Sequence, residues 1–141
     1  MRTLLAALVS AGFIAFGSSS IYAQTAEDAF GTWFDPENNS NISVFSCAGG
    51  LCAKVIKVTD LSRRDDNNPA PMQRGRSIEG MIIMEGAKKT ADKTWSGKLY
   101  NSQDGKTYDG TLTVIDKTHL KFQGCVVGSS ICKGPTWTRV D

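Results

Sequence analysis

Residue types that ordinarily carry chemistry are sparse in this chain of 141 residues. His119 is the sole imidazole, so a Ser-His-Asp relay would have to pass through it. It lies beside Lys121 on the polar face of an alternating segment, which is a solvent-facing place. Carboxylates that could pair as general acid and base occur at Asp35 with Glu37 and at Asp65 with Asp66. Both pairs fall in strongly polar stretches, where solvated side chains are expected. This inventory points away from an enzyme.

The cysteines suit a different chemistry. Cys47, Cys52, Cys125 and Cys132 are spaced C-x4-C and C-x6-C, whereas zinc ribbons use C-x2-C. An even number in an exported chain reads as two disulfides. Of the three pairings available, local geometry favours Cys47–Cys52 and Cys125–Cys132, because each pair brackets a glycine-containing turn. Neither a metal nor a cofactor is implied.

The remaining candidates are those of a binding site. The stretch DLSRRDDNNPAPMQRGRS, Asp60 to Ser77, sets Arg63, Arg64, Arg74 and Arg76 against Asp60, Asp65 and Asp66. The planar guanidinium fork suits carboxylates, so Arg74 or Arg76 is the expected contact for the anionic end of a ligand. A solvated loop with internal Arg–Asp pairs explains the same composition. Trp95, Leu99, Tyr108, Leu112 and Phe122 are the candidate apolar contacts, since alternation points them inward together with Val114 and Leu120. In a narrow barrel such residues could equally be plain filling. Gly80, Gly97, Gly110 and Gly124 tip the reading towards a cavity, each giving up volume at a position read as inward. Asp104-Gly105 has a sufficient explanation as a hairpin turn, and Ala48-Gly49-Gly50 as a tight turn between bridged cysteines.

Those side chains must be positioned by strands. Period-two alternation dominates: Tyr108, Gly110, Leu112 and Val114 oppose Thr107, Asp109, Thr111 and Thr113, and similar runs follow and precede them. The pattern predicts eight strands, near 30–34, 41–46, 51–59, 78–85, 94–101, 106–115, 118–127 and 134–140. Short connections join neighbours antiparallel, which gives an all-β, eight-stranded, up-and-down antiparallel barrel. A two-sheet β-sandwich is the alternative, though it normally needs longer crossovers. In such a meander the links at 35–40, 60–77, 102–105 and 128–133 share one rim, and those at 48–50, 86–93 and 116–117 the other. At eighteen residues, 60–77 exceeds the ~12–15 usual for a structureless loop and reads as a lid with a helical turn after Pro69.

The start of the chain has the build of a secretory signal peptide. Met-Arg precedes thirteen uncharged residues, Leu4 to Phe16, and Ile21-Tyr22-Ala23 supplies an aliphatic residue at −3 and Ala at −1 of a cleavage point. A membrane span needs about 20 apolar residues, so residues 1–23 read as a cleaved leader and 24–141 as a single domain in the periplasm or medium. Loss of Arg2 leaves 15 Lys and Arg against 14 Asp and Glu, and so near balance gives no case for nucleic acid. No basic amphipathic helix suggests a membrane surface either.

Several phrases stand in a distinctive order. Gly31-Thr32-Trp33 is followed by Cys47-Ala-Gly-Gly-Leu-Cys52, then by Asn68-Pro69 with Arg74, and by Trp95-x-Gly97. Asp104-Gly105-Lys106-Thr107-Tyr108 and Trp137-Thr138-Arg139-Val140 complete the set, which spans the mature chain. The set resembles the bacterial family named domain of unknown function 2147. That resemblance implies an exported domain with a lipocalin-like barrel and no agreed activity. Ala53 and Lys98 depart from glycines usual in the family pattern. Gly31-x-Trp33 with a late Arg139 is also similar to the wider lipocalin arrangement, in which an Arg stacks on the Trp at the closed end and has a structural role. The expected function is therefore non-catalytic binding of a small apolar or amphiphilic molecule in the barrel, with Arg74 or Arg76 meeting an anionic end. A solid barrel that meets an envelope protein through its rim loops is the alternative.

Overall fold

The computed structural model describes residues 10–14, 17 and 23–141. The leader expected over 1–23 lies outside the described residues except at those few positions. Among the described residues nine strands form one sheet: β1 (Gly31–Asp35), β2 (Ser40–Cys47), β3 (Gly50–Val58), β4 (Ile82–Ala91), β5 (Thr94–Asn101), β6 (Lys106–Val114), β7 (His119–Cys125), β8 (Cys132–Lys133) and β9 (Thr136–Arg139). Each pairs antiparallel with its neighbours, and the β6–β7, β7–β9 and β9–β1 ladders close the ring. Eight strands make the barrel, while the two-residue β8 hangs on the end of β7. The sandwich is excluded.

Two strands differ from the alternation reading. The fourth was expected over 78–85 but runs from Ile82 to Ala91. Gly80, at φ +92°, turns the chain so that Gly80 N–H donates to Val55 and Val55 N–H to the Met81 carbonyl before regular pairing starts. Gly86, at φ +67°, lies where the β4–β5 register shifts between Met84 and Lys88, and a bulge there carries the strand past the point where alternation breaks. The closed-rim link consequently shrinks to Asp92-Lys93 and the lid grows to 59–81. The last strand was expected over 134–140 but is confined to Thr136–Arg139. Pro135 has no N–H to give a ladder, and its carbonyl instead accepts from Phe122 N–H at 3.1 Å.

One end of the barrel is stoppered. A 3-10 turn over Ala26–Ala29 lies across it with Ala26 and Ala29 fully buried. Trp33 Nε1 donates to the Ala29 carbonyl at 2.8 Å and Trp95 Nε1 to that of Ala26 at 2.7 Å. Arg139 locks the stopper from outside: its guanidinium stands 4.3 Å from the Trp33 ring centroid and donates to the carbonyls of Asp28 (2.6 Å), Phe30 (3.1 Å) and Lys117 (2.6 Å). The stacking contributes about 1 kcal/mol. A Cβ at Gly31 would stand 2.2 Å from Arg139 Nη1, so Gly31 lets the arginine through. Gly31, Trp33 and Arg139 thus form the architectural group expected of them. Above the stopper Leu112, Val114, Leu120 and Trp137 fill the interior.

Both expected disulfides are present, Cys47–Cys52 on the stoppered rim and Cys125–Cys132 on the open one. Among the described residues no helix is long and apolar enough to cross a membrane.

Candidate functional site

The barrel is filled at its stoppered end and hollow at the other. A cavity of about 430 Å³ opens between the connections 36–39, 59–81, 102–105 and 126–135. Its wall is apolar, from Ile42 on β2, Val55 on β3, Ile83 on β4, Leu99 on β5 and Phe122 on β7, with Ile78 from the lid. Gly124 on β7 belongs to this lining and lets Leu99 and Tyr108 pack close against the strand, since a Cβ would stand 3.1 Å from Leu99 and 3.6 Å from Tyr108. The mouth is polar, with Asp35, Glu37, Asp104, Arg63 and Lys133 as its charged groups and Tyr100, Tyr108, Asn101 and Gln103 among its neutral ones.

Of the residues singled out by spacing, Leu99, Tyr108 and Phe122 line this cavity and four others do not. Trp95 and Leu112 are buried towards the stopper. Arg74 and Arg76 serve the lid: Arg74 Nε donates to the Asn68 carbonyl at 2.8 Å, and Arg76 pairs with Asp65 at 3.3 Å. Arginine at the mouth is supplied by Arg63, whose Nη1 donates to the Asn38 carbonyl at 3.2 Å. The inward glycines also divide. A Cβ at Gly97 would meet Ala87 at 3.0 Å and one at Gly110 would meet the Met84 methyl at 2.6 Å, so core side chains already occupy that room. Gly80 is not inward at all: it lies exposed in the lid, ahead of β4 and outside the cavity lining.

The loop carboxylates read as solvated split in two. Asp66 and Glu37 are exposed, but Asp65 is fully buried and Asp35 nearly so. Asp35 folds the first open-rim turn on itself, accepting from Glu37 N–H at 2.9 Å and from Asn38 Nδ2 at 2.8 Å. Asp65 is the hub of the lid. It accepts from the Tyr100 hydroxyl at 2.5 Å, Asn68 Nδ2 at 2.8 Å and Arg76 at 3.3 Å. Burial alone would raise its pKa, but those three donors together outweigh burial and hold the carboxyl below its ordinary value. The same pair pushes Tyr100 up to about 12, through burial first and then through the bond to Asp65. No spacing rule marks Asp65, because its partner Tyr100 is 35 residues away and falls on the face that alternation gives to solvent.

Further bonds tie the open-rim connections to one another. Asn67 Nδ2 donates to the Gln103 carbonyl at 2.7 Å, and Gln103 Nε2 to Asn38 Oδ1 at 2.5 Å. A Cβ at Gly105 would overlap the Asn67 carbonyl, so Gly105 serves the lid contact as well as the hairpin turn. Tyr108 donates to Asp104 across that turn. His119 is remote from all of this, bonded to Asp116 at 2.9 Å on the stoppered rim. Among the described residues no group of three His, Cys, Asp or Glu is placed to hold a metal ion.

A solved structure of protein HP1028 from Helicobacter pylori, described as belonging to the lipocalin family, is similar to this one. The TM-score is 0.69 and the identity 28%, over 79% of this chain and 82% of that one. No curated protein matches the chain. The family model described as "Uncharacterized protein conserved in bacteria (DUF2147)" matches residues 31–139, which run from the first residue of β1 to the last of β9. The ordered phrases noted in the sequence lie on the stoppered end of β1, the Cys47–Cys52 turn, the lid, β5, the turn into β6 and the barrel's closing strand, and the chain belongs to the bacterial family DUF2147.

Proposed function

We propose that this protein is an exported, non-catalytic binding protein that holds a small apolar or amphiphilic molecule in the open half of its barrel. The observation that carries this reading is a cavity with an apolar wall and a polar mouth, closed at its far end by the Ala26–Ala29 stopper. Its volume of about 430 Å³ falls in the usual range for small-ligand pockets. The aliphatic part of the ligand lies against Ile42, Val55, Ile83, Leu99 and Phe122, with Tyr108 flanking it. Its polar end stays at the rim, where Arg63 and Lys133 take the part first read for Arg74 and Arg76 in meeting an anionic group. The lipocalin-like fold supports binding over catalysis. Export rests on the leader-like start together with two disulfides, which suit an oxidising compartment.

Native mass spectrometry of protein recovered from the periplasm, before and after denaturation, tests this reading. An adduct lost on denaturation is expected, and its mass identifies the ligand. Gly124→Leu projects a side chain into the cavity and should remove the adduct while the far-ultraviolet spectrum stays that of a barrel. A wild-type mass without adduct, together with no uptake of a fluorescent fatty acid, would overturn the proposal. The solid-barrel alternative, with a protein partner at the rim, would then take its place.

A further inference from the structure

All three tryptophans are buried in the barrel, but their indole N–H groups fare differently. Those of Trp33 and Trp95 donate to the stopper carbonyls of Ala29 and Ala26. Trp137 is fully buried, and its Nε1 has no hydrogen-bond partner. Among the described residues it is the one buried side-chain nitrogen or oxygen left unpaired. Native interiors rarely hold such a group, because a buried donor without an acceptor forfeits the hydrogen bond it made to water.

The place of Trp137 in the barrel shows from which side an acceptor can reach it. Side chains two residues apart on a strand share a face, one layer apart along it. On β7 the inward column is Gly124, Phe122 and Leu120, of which the first two line the cavity and Leu120 is fully buried. Beside it Pro135, just ahead of β9, lines the cavity, and Trp137 pairs with Leu120 across the β7–β9 ladder. Trp137 therefore lies in the layer directly beneath the cavity floor. One ring separates it from the open space. Phe122 is stacked on the indole, with centroids 4.3 Å apart and planes 19° from parallel. Phe122 is itself only half-buried, so its ring has the cavity to turn into. Leu112, Val114 and Leu120, which fill the rest of this region, have no side-chain acceptor.

We propose that the Trp137 indole N–H is a ligand contact at the cavity floor, reached when the Phe122 ring turns aside, and that the ligand carries an oxygen acceptor at its inner end. The proposal rests on the cavity reading and narrows it. A plain fatty acid would leave the indole unpaired. A chain with a ketone, ester or ether oxygen near its buried end would satisfy it. A hydroxyl suits the place less well, since its own proton would find no acceptor among the aliphatic side chains. The apolar wall alone would reject any such oxygen, so the indole decides which inner ends are admitted.

Decanoate and 9-oxodecanoate, which differ by one carbonyl at the end far from the carboxylate, are the probes. Protein recovered from the periplasm and passed over a delipidating resin should bind the ketone at least as tightly as decanoate. W137F should weaken binding of the ketone about tenfold and leave that of decanoate within about twofold. W137F also removes core volume, so a measurement on the wild-type chain stands beside it. In 15N-labelled protein the Trp137 indole cross-peak should move downfield with 9-oxodecanoate and hold still with decanoate, while those of Trp33 and Trp95 hold still with both. F122L, which removes the covering ring and keeps the site apolar, should speed binding of the ketone without removing its advantage. Equal loss of both probes in a folded W137F, or an indole peak indifferent to the ketone, would overturn the proposal. So would an indole peak already at a hydrogen-bonded position before either probe is added, which would assign the N–H to an internal water. Decanoate bound with no preference for the ketone would remove this proposal and leave the cavity reading standing, whereas binding of neither probe would remove both.

Discussion

Asp65 and Arg139 show what single residues do in this barrel. Asp65 is a buried carboxylate whose three donors come from the lid and from β5, so it fastens a long loop to the barrel wall. Tyr100→Phe removes one donor and leaves the charge buried. Unfolding in urea should show a loss of about 1–3 kcal/mol, and the lid should become open to proteolysis near Arg63-Arg64. Tyr100 itself should ionise near pH 12, well above solvated tyrosines, in a spectrophotometric titration. Its folded pKa is raised, so the stability it gives is full below the ordinary value of 10 and declines as pH rises towards 12. Arg139 stacks on Trp33 and donates to three carbonyls at the stopper end. Arg139→Met should cost about 2–3 kcal/mol and shift Trp33 fluorescence, leaving ligand uptake at the far end intact.

At the scale of elements, the disulfide hairpins and β4 carry different lessons. Cys47–Cys52 and Cys125–Cys132 close loops short enough that each contributes roughly 2 kcal/mol in the chain-entropy model. The double variant C47S/C52S should lower the urea midpoint accordingly without opening the barrel, because β2 and β3 remain paired from Ser40↔Val58 to Cys47↔Gly50. A strand count was legible because alternation follows from the pleat itself. The limits of β4 were not, because bulges break the period that carries the information. Gly86-Ala87-Lys88-Lys89 looks like a loop in the sequence, yet it is strand paired with β5, with Lys88 and Lys89 both exposed and Lys89 bonded to Glu27 of the stopper. The 3-10 turn expected after Pro69 is present over Pro71–Gln73.

For the whole molecule, acid is the expected weakness. Glu27, Asp60, Asp65, Asp116 and Asp141 all have pKa values lowered by folding, Asp116 to about 2 through the Thr118 amide and then His119. A depressed carboxylate stabilises the fold above its unfolded pKa and ceases to as pH falls through the folded one. Thermal midpoints should therefore hold above about pH 4 and fall progressively between 4 and 2, and Asp65→Asn should make that fall shallower. By itself the sequence determined the strand-and-turn pattern, both disulfide pairings and the eight-strand ring, together with the Gly31, Trp33 and Arg139 group at one end. Those follow from local periodicity and turn chemistry, or from residues whose order along the chain is diagnostic. Only the tertiary structure decided where the barrel is hollow. Inward positions look alike in a sequence, yet Trp95 and Leu112 are packed under the stopper while Leu99 and Phe122 line open space. It also decided which arginine reaches the mouth, because Arg63, Arg74 and Arg76 share one loop and differ only in partners that folding brings from elsewhere. The physical reason is the same in both cases: alternation fixes which way a side chain points, and long-range packing fixes what it meets.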